Sequence, residues 1–331
     1  MKVADLCATL VFLWLLAAIP MPRGAMAHPA LPMPAPEVTM RIATFPHHAL
    51  AHASAPAASR HAEHEPQHTL WSVKGRRNTL YLLGSIHFLP PDEPLPAAIE
   101  AAYAQADRLV MEIDIGNLDL QDMQQSLLEL GLLPPGRSLE QQLGPQAHAA
   151  VATAARELEL DPALLNPLRP WLAAMTLIQQ HFARRGLESR AGIEQRLAAR
   201  ARRDQKPVTG LETLRQQLSY LANLPETLQI EFLMYSVADF ERMDRDLDEL
   251  LSAWRQGDIQ TLERLLAEGF AAYPELYRPL TIERNHRWVT DIEALLEDEQ
   301  DYLVIVGALH LVGPESVVAL LRSRGHVLQR H

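Results

Sequence analysis

The chain has 331 residues, 48% hydrophobic and 21% charged, with a formal net charge of −11 and one cysteine, Cys7. That length and apolar fraction suit one large globular domain or two small ones, and they exclude wholesale disorder. The acidic balance argues against a nucleic-acid surface, which needs clustered Lys and Arg; only three residues are lysine, so nearly all the positive charge is arginine. One cysteine cannot make an intramolecular disulfide or a cysteine zinc cluster.

Residues 1–27 read as a secretory signal. Lys2 and the free amine form a weak positive start, and residues 6–19 (LCATLVFLWLLAAI) are an apolar run too short for a membrane span of about 20 residues. Ala25-Met26-Ala27 is a small-x-small cleavage site that would make His28 the first mature residue. Cys7 leaves with the signal, so the mature chain would have no cysteine and no stable membrane span. Export to a periplasm or to the medium is the expected destination. Residues 28–68 are rich in Ala, Pro and His, and hold seven of the fourteen histidines. Their irregular spacing reads as a disordered tether rather than a metal-collecting tract.

From Thr69 to residue 331 the text is that of a folded domain. Residues 69–74 (TLWSVK) and 79–83 (TLYLL) flank Gly75-Arg76-Arg77-Asn78, a hairpin signature. A helix opened by Pro96 carries Ile99, Ala102, Tyr103 and Ala106 at helical spacing. Residues 109–113 (LVMEI) read as a buried strand. From about residue 118 to 296 the sequence is mostly helical, and this stretch reads as a large insertion. Within it, residues 193–203 form a helix and residues 207–211 (PVTGL) a short strand. The acidic stretch 239–249 keeps Met243 and Leu247 at helical spacing and reads as a solvated helix face. Residues 301–307 (DYLVIVG) are the clearest buried strand; a helix opened by Pro314 and a last strand at 326–329 follow. Strands alternating with helices predict an α/β fold with a mostly parallel central sheet. An internal echo points to two related halves. In both Tyr81–His87 (YLLGSIH) and Val304–His310 (VIVGALH), an apolar strand ends in Gly-x-x-His, and a helix and another strand follow.

Ligands of open α/β sheets gather beyond the carboxyl ends of the strands. In this chain those ends deliver His87, Glu112, Glu212 and His310. Imidazoles and carboxylates without cysteine are donors that Zn²⁺, Mn²⁺ or Co²⁺ accept. Glu112 inside an apolar strand needs a partner, because burying a lone carboxylate costs several kcal/mol; a salt bridge to one of the many arginines would also satisfy it. Glu212 could instead cap a helix starting near Thr213. Residues 83–87 do not form a serine-hydrolase elbow, since His87 replaces the second glycine, and no phosphate-binding glycine loop appears.

The runs Leu70–Val73, Tyr81–Leu89 and Ala106–Asp114 resemble the opening of the TraB/GumN family. The likeness continues through Gly192-Ile193-Glu194, Gly210–Thr213 with Gln217, and Arg284-Asn285, and closes with Val306–Gly313. Its best understood relatives, the Tiki proteins, are metalloproteases supported by Mn²⁺ or Co²⁺. The resemblance implies a divalent metal, with Zn²⁺ as a further choice, and a peptide or protein substrate, and its marks fall on His87, His310 and Glu112; from the residues, His87 and His310 would hold the ion with Glu112 or Glu212 completing the set. It places Arg284 among the family marks. Glu194 stands where relatives often carry Asp. On this reading Glu112 is ligand or general base, Arg284 grips a substrate carboxylate or oxyanion, and Asn285 orients Arg284 or a water. The function expected is that of an exported metal-dependent hydrolase, most simply a peptidase. Two alternatives stay open: hydrolysis with a histidine as base and no metal, and a protein that binds metal, haem or another ligand without catalysis.

Overall fold

A computed structural model describes residues 67–271 and 274–331. Residues 1–27, expected to be a signal, and almost all of residues 28–68, expected to be a tether, lie outside the described residues. Six strands form one sheet: β1 (Leu70–Lys74), β2 (Thr79–Ser85), β3 (Arg108–Met111), β4 (Val208–Gly210), β5 (Tyr302–Gly307) and β6 (Leu328–Arg330), in the order β4-β3-β5-β2-β1-β6. Neighbours from β4 to β2 run parallel, whereas β1 is antiparallel to both β2 and β6.

The sheet is therefore mixed, which corrects the mostly parallel expectation. The cause is local. A four-residue link between β1 and β2 can only return the chain antiparallel, and β6 then pairs with the strand that the hairpin turned around.

The helices are α1 (Ala97–Gln105), α2 (Leu120–Gly131), α3 (Leu139–Glu157), α4 (Pro170–Arg184), α5 (Ile193–Asp204), α6 (Leu214–Ala222), α7 (Glu226–Ala238), α8 (Phe240–Gln256), α9 (Ile259–Phe270), α10 (Pro274–Tyr277), α11 (Glu283–Leu295) and α12 (Val317–Ser323). Apart from β4, the described part of residues 118–296 is helical or connecting, as its leucine periodicity predicts. The last helix opens slightly later than expected: Ser316, rather than Pro314, marks its start, and its hydroxyl accepts from the Ala319 N–H. Among the described residues, no helix is long and apolar enough to cross a membrane.

Side chains of a strand alternate between faces, and this sorts the core into two layers. Leu83, Leu109, Met111, Leu303 and Ile305 face one layer, with Ile193 and Leu197 of α5 and much of the helical segment. Leu80, Leu82, Val110, Val304 and Val306 face the other, with Trp288, Val289 and Ile292 of α11 and Val317 and Leu321 of α12. The same alternation directs the polar residues that follow the strands. Ser85 continues the α5 side after Leu83, and Glu112 continues the α11 side after Val110.

Candidate active site at the carboxyl edge of the sheet

The register puts both Gly-x-x-His turns at one place. Gly84 pairs with Val306 and Ser85 with Gly307 in the parallel β2–β5 ladder, while Met111 lies beside both Ile305 and Gly210. His87, Glu112, Glu212 and His310 thus leave neighbouring strands at the same edge, as the strand order requires. Gly84 is needed for the close packing there, since a Cβ on it would stand 2.9 Å from the Ala308 Cα.

On the α11 side the centre is Arg284, which is fully buried. Its Nη2 donates to Glu112 Oε2 at 2.6 Å and to Glu212 Oε2 at 2.9 Å, and its Nε reaches both Glu212 oxygens at 3.1 Å. Nη1 donates to the Leu280 carbonyl and to His310 Nε2, each at 3.3 Å. The guanidinium lies over the Trp288 ring, 4.5 Å from its centroid. Glu112 Oε2 also accepts from Gln217 Nε2, and Oε1 from the Gly307 N–H, both at 2.8 Å. Glu212 Oε1 accepts from the Tyr220 hydroxyl at 3.0 Å and from the Trp288 indole at 3.1 Å. Glu212 therefore does not cap the next helix; Thr213 does, in a capping box with Gln216.

These contacts fix charges. Burial alone would raise the Glu112 carboxyl, but Arg284, then His310 and His87, and the Gly307 N–H hold it down to about 2. Burial opposes the Arg284 charge, yet the two glutamates keep its pKa raised. Burial and the Arg284 charge push His310 down to about 3 against the opposing pull of Glu112. An arginine can only donate, so His310 Nε2 must be the acceptor and Nδ1 must carry the proton. That proton goes to Asn285 Oδ1 at 2.6 Å, and Asn285 Nδ2 donates in turn to the Glu315 carbonyl at 2.7 Å. Asn285 thus orients His310 rather than Arg284.

On the α5 side, His87 Nδ1 lies 2.7 Å from Glu194 Oε1, and Ser85 Oγ donates to the same oxygen. A carboxylate can only accept, so Nδ1 is the donor in that pair; in the neutral ring the lone pair is then on Nε2. The His87 side chain is 11% exposed and that of His310 is 4%. His87 is close enough to act electrostatically on both Glu112 and His310. Gly192, just ahead of α5, packs against the backbone of the first turn; a Cβ there would collide with the His87 carbonyl oxygen.

The metal donors implied by resemblance do not form a closed set. Among the described residues, no three His, Cys, Asp or Glu side chains are grouped so as to hold an ion. The position between Glu112, Glu212 and His310, where a cation would neutralise them, is filled by the Arg284 guanidinium.

Three residues had no contact assigned to them from the sequence. Gln217 is 4% exposed and binds Glu112, while its Oε1 is buried without a hydrogen-bond partner. Its place beside the buried Leu218 and Leu221 on α6 was the available signal, since a buried amide needs partners. Glu194 shares the buried face of α5 with Leu197 and Ala201, but nothing in the local sequence points it at His87. Ser85 is fully buried and reaches Glu194, again across a tertiary contact.

The TraB/PrgY/gumN family model matches residues 69–330, and the chain belongs to that family. The uncharacterized protein YbaP of Escherichia coli (strain K12) is 27% identical over 252 residues, covering 76% of this chain and 90% of YbaP. YbaP of Shigella flexneri gives the same figures, 27% over 252 residues. An uncharacterized protein of Treponema pallidum (strain Nichols) is 26% identical over 284 residues, covering 77% of this chain and 80% of that protein. No solved structure matches the chain.

Proposed function

We propose that the chain is an exported hydrolase that cleaves an amide bond of a peptide, with His87 as general base. The observation that carries this reading is the Glu194–His87 pair at the sheet edge beside an ionised, buried Glu112. Glu194 fixes the His87 ring through Nδ1, so that Nε2 can take a proton from water as it attacks the carbonyl carbon. Glu194 and the nearby Glu112 charge stabilise the imidazolium that forms. The same proton then passes to the leaving amine as the carbon–nitrogen bond breaks. Glu112 is a poor base itself, since its pKa is about 2 and its oxygens accept from Arg284, Gln217 and Gly307. Arg284 holds the two glutamates in place, and Asn285 positions His310. The choice of a peptide as substrate rests on the family resemblance.

A second reading adds the divalent ion. The way both imidazoles are held favours it, because each is fixed at Nδ1, as metal-bound histidines are, and His310 Nε2 would exchange its contact with Arg284 for the ion. Such an ion, on His87, His310 and Glu112, would supply Lewis acidity and a more acidic water.

The full chain incubated with fluorogenic peptide libraries tests the main reading. Glu194→Gln should lower kcat by about 10²- to 10⁴-fold, and wild-type cleavage should persist after chelation. Cleavage lost on chelation and restored by Mn²⁺ or Co²⁺ would select the second reading. Unchanged turnover in both Glu194→Gln and His87→Ala would remove His87 as base.

A further inference from the structure

The segment that carries His87 is tied to two helices, and the ties meet at Glu93. After β2 the chain passes His87, pairs Leu89 with Glu188 in an isolated bridge, and turns so that the Glu93 N–H donates to the Pro90 carbonyl at 3.1 Å. Pro91 takes the second position of that turn, and four of the seven residues from 90 to 96 are proline. Fixed φ angles make this stretch stiff, so Glu93 and His87 move together.

Glu93 is held more firmly than its place in a loop suggests. Its neighbours Asp92 and Pro94 are exposed, yet its own side chain is only 11% exposed. Arg255 donates to both of its oxygens, from Nε to Oε1 at 2.8 Å and from Nη2 to Oε2 at 2.6 Å. That two-pronged geometry makes a pair both strong and directional. The Glu93 carbonyl accepts from Arg196 Nη1 of α5 at 2.6 Å.

The same two helices hold the other end of the segment. Gly257 ends α8 in the left-handed conformation, so Trp254 and Arg255 both lie in its last turn. The Trp254 indole donates to the Gly84 carbonyl at 2.8 Å, three residues before His87. On α5 the Ile193 N–H donates to the Ile86 carbonyl at 3.0 Å, and Glu194 holds the ring. His310 has a comparable tie: Asn285, which holds its Nδ1, also donates to the Glu315 carbonyl five residues further on. Around His87 the two tasks are divided, with Glu194 on the ring and Arg196 on the Glu93 carbonyl. Arg255 adds a grip on the carboxylate.

We infer that Arg255 is a positioning residue for His87 that acts through Glu93; its part in turnover rests on the hydrolase reading. With Trp254 it fixes both ends of the His87 segment against the last turn of α8. Limiting the swing of residues 84–93 keeps His87 Nδ1 on Glu194.

The proton between His87 Nδ1 and Glu194 reports this without any substrate. In the full chain with nitrogen-15-labelled histidine, NMR follows its exchange with water, and the His310 Nδ1 proton on the α11 side serves as reference. Glu93→Gln keeps the shape of the side chain but loses the charge-assisted fork, and Arg255→Met removes the donor. Each should speed exchange of the His87 proton about tenfold and leave the His310 proton unchanged. The double variant should do no more than either single one, since both break the same contact. On peptides, kcat should fall about tenfold at unchanged KM, because the pair acts on the base and not on substrate binding. The Arg255 side chain is 41% exposed, so the variants should fold, which circular dichroism checks. Equal acceleration of both protons, or of neither, would reduce the pair to a staple of the fold and overturn the inference. A response at His87 alone with unaltered turnover, or in a chain that cleaves no peptide, would leave the positioning intact and count against the hydrolase.

Discussion

The two Gly-x-x-His turns leave adjacent parallel strands in register, yet they set their imidazoles in opposite surroundings. His310 turns to the α11 side, where Arg284 and Asn285 hold it neutral and enclosed. His87 turns to the α5 side, where a carboxylate holds it at the sheet edge with more access to solvent. A similar backbone device thus yields one histidine that serves structure and electrostatics and one suited to move a proton. Which element covers each face makes the difference, since α11 brings an arginine and α5 a glutamate.

The largest effect that would sharpen this contrast is expected at Arg284. Arg284→Met leaves two buried carboxylates facing each other, and urea unfolding should show a loss of about 3–5 kcal/mol. A loss near that of a surface pair, about 1 kcal/mol or less, would mean that water reaches both glutamates and that the interior side is not closed. Gly192→Ala should act on the other arm alone. Its Cβ would meet the His87 carbonyl oxygen, a backbone atom that cannot rotate away, so a cost of about 1–3 kcal/mol is expected. Peptide turnover should fall with it while the Arg284 cluster stays intact; a fall in stability with full turnover would detach His87 from the reaction.

The smallest expected effect is read per pH unit. The His310 pKa is about 3 in the native chain against an ordinary 6.5, so the unfolded chain takes up a proton between these values that the native chain refuses. Stability contributed by residue 310 is therefore whole above pH 6.5 and is lost as pH falls toward 3. Near pH 5, wild type should lose about 1.4 kcal/mol per pH unit more than His310→Gln. Glu112 adds a second loss lower down, from 4.5 toward about 2, because its folded value is also depressed. Parallel stability curves for wild type and His310→Gln would show that His310 titrates freely in the folded protein and would dissolve the contrast with His87.

Much of this was legible in the sequence because short apolar runs and helical periodicity are local signals. All six strands fall within or beside their expected runs, and the strand ends deliver His87, Glu112, Glu212 and His310 to one edge. Even Arg284 had a local signal: it stands four residues before Trp288 and eight before Ile292, on their buried stripe. Its partners did not. Glu112 lies 172 residues from Arg284, and the Ser85–Glu194 bond spans 109; only the order of strands and the faces of covering helices bring such pairs together. The mixed character of the sheet was implicit in the hairpin, whose return strand had to run against the rest. The metal set was read from donor types and a family resemblance, neither of which can show that a guanidinium stands among them.

The position of β5 has a consequence for how the protein is made. It is the next-to-last strand in sequence but lies between β2 and β3 in the sheet. Until residues 302–307 emerge, the β1–β2 hairpin and the β3–β4 pair are separate fragments, each with an open, apolar parallel edge. Closing a loop of roughly two hundred residues is slow, and open edges invite pairing with other chains. Synthesis of this domain therefore passes through a long interval with open strand edges, and it ends only when β5 slots into the middle of the sheet.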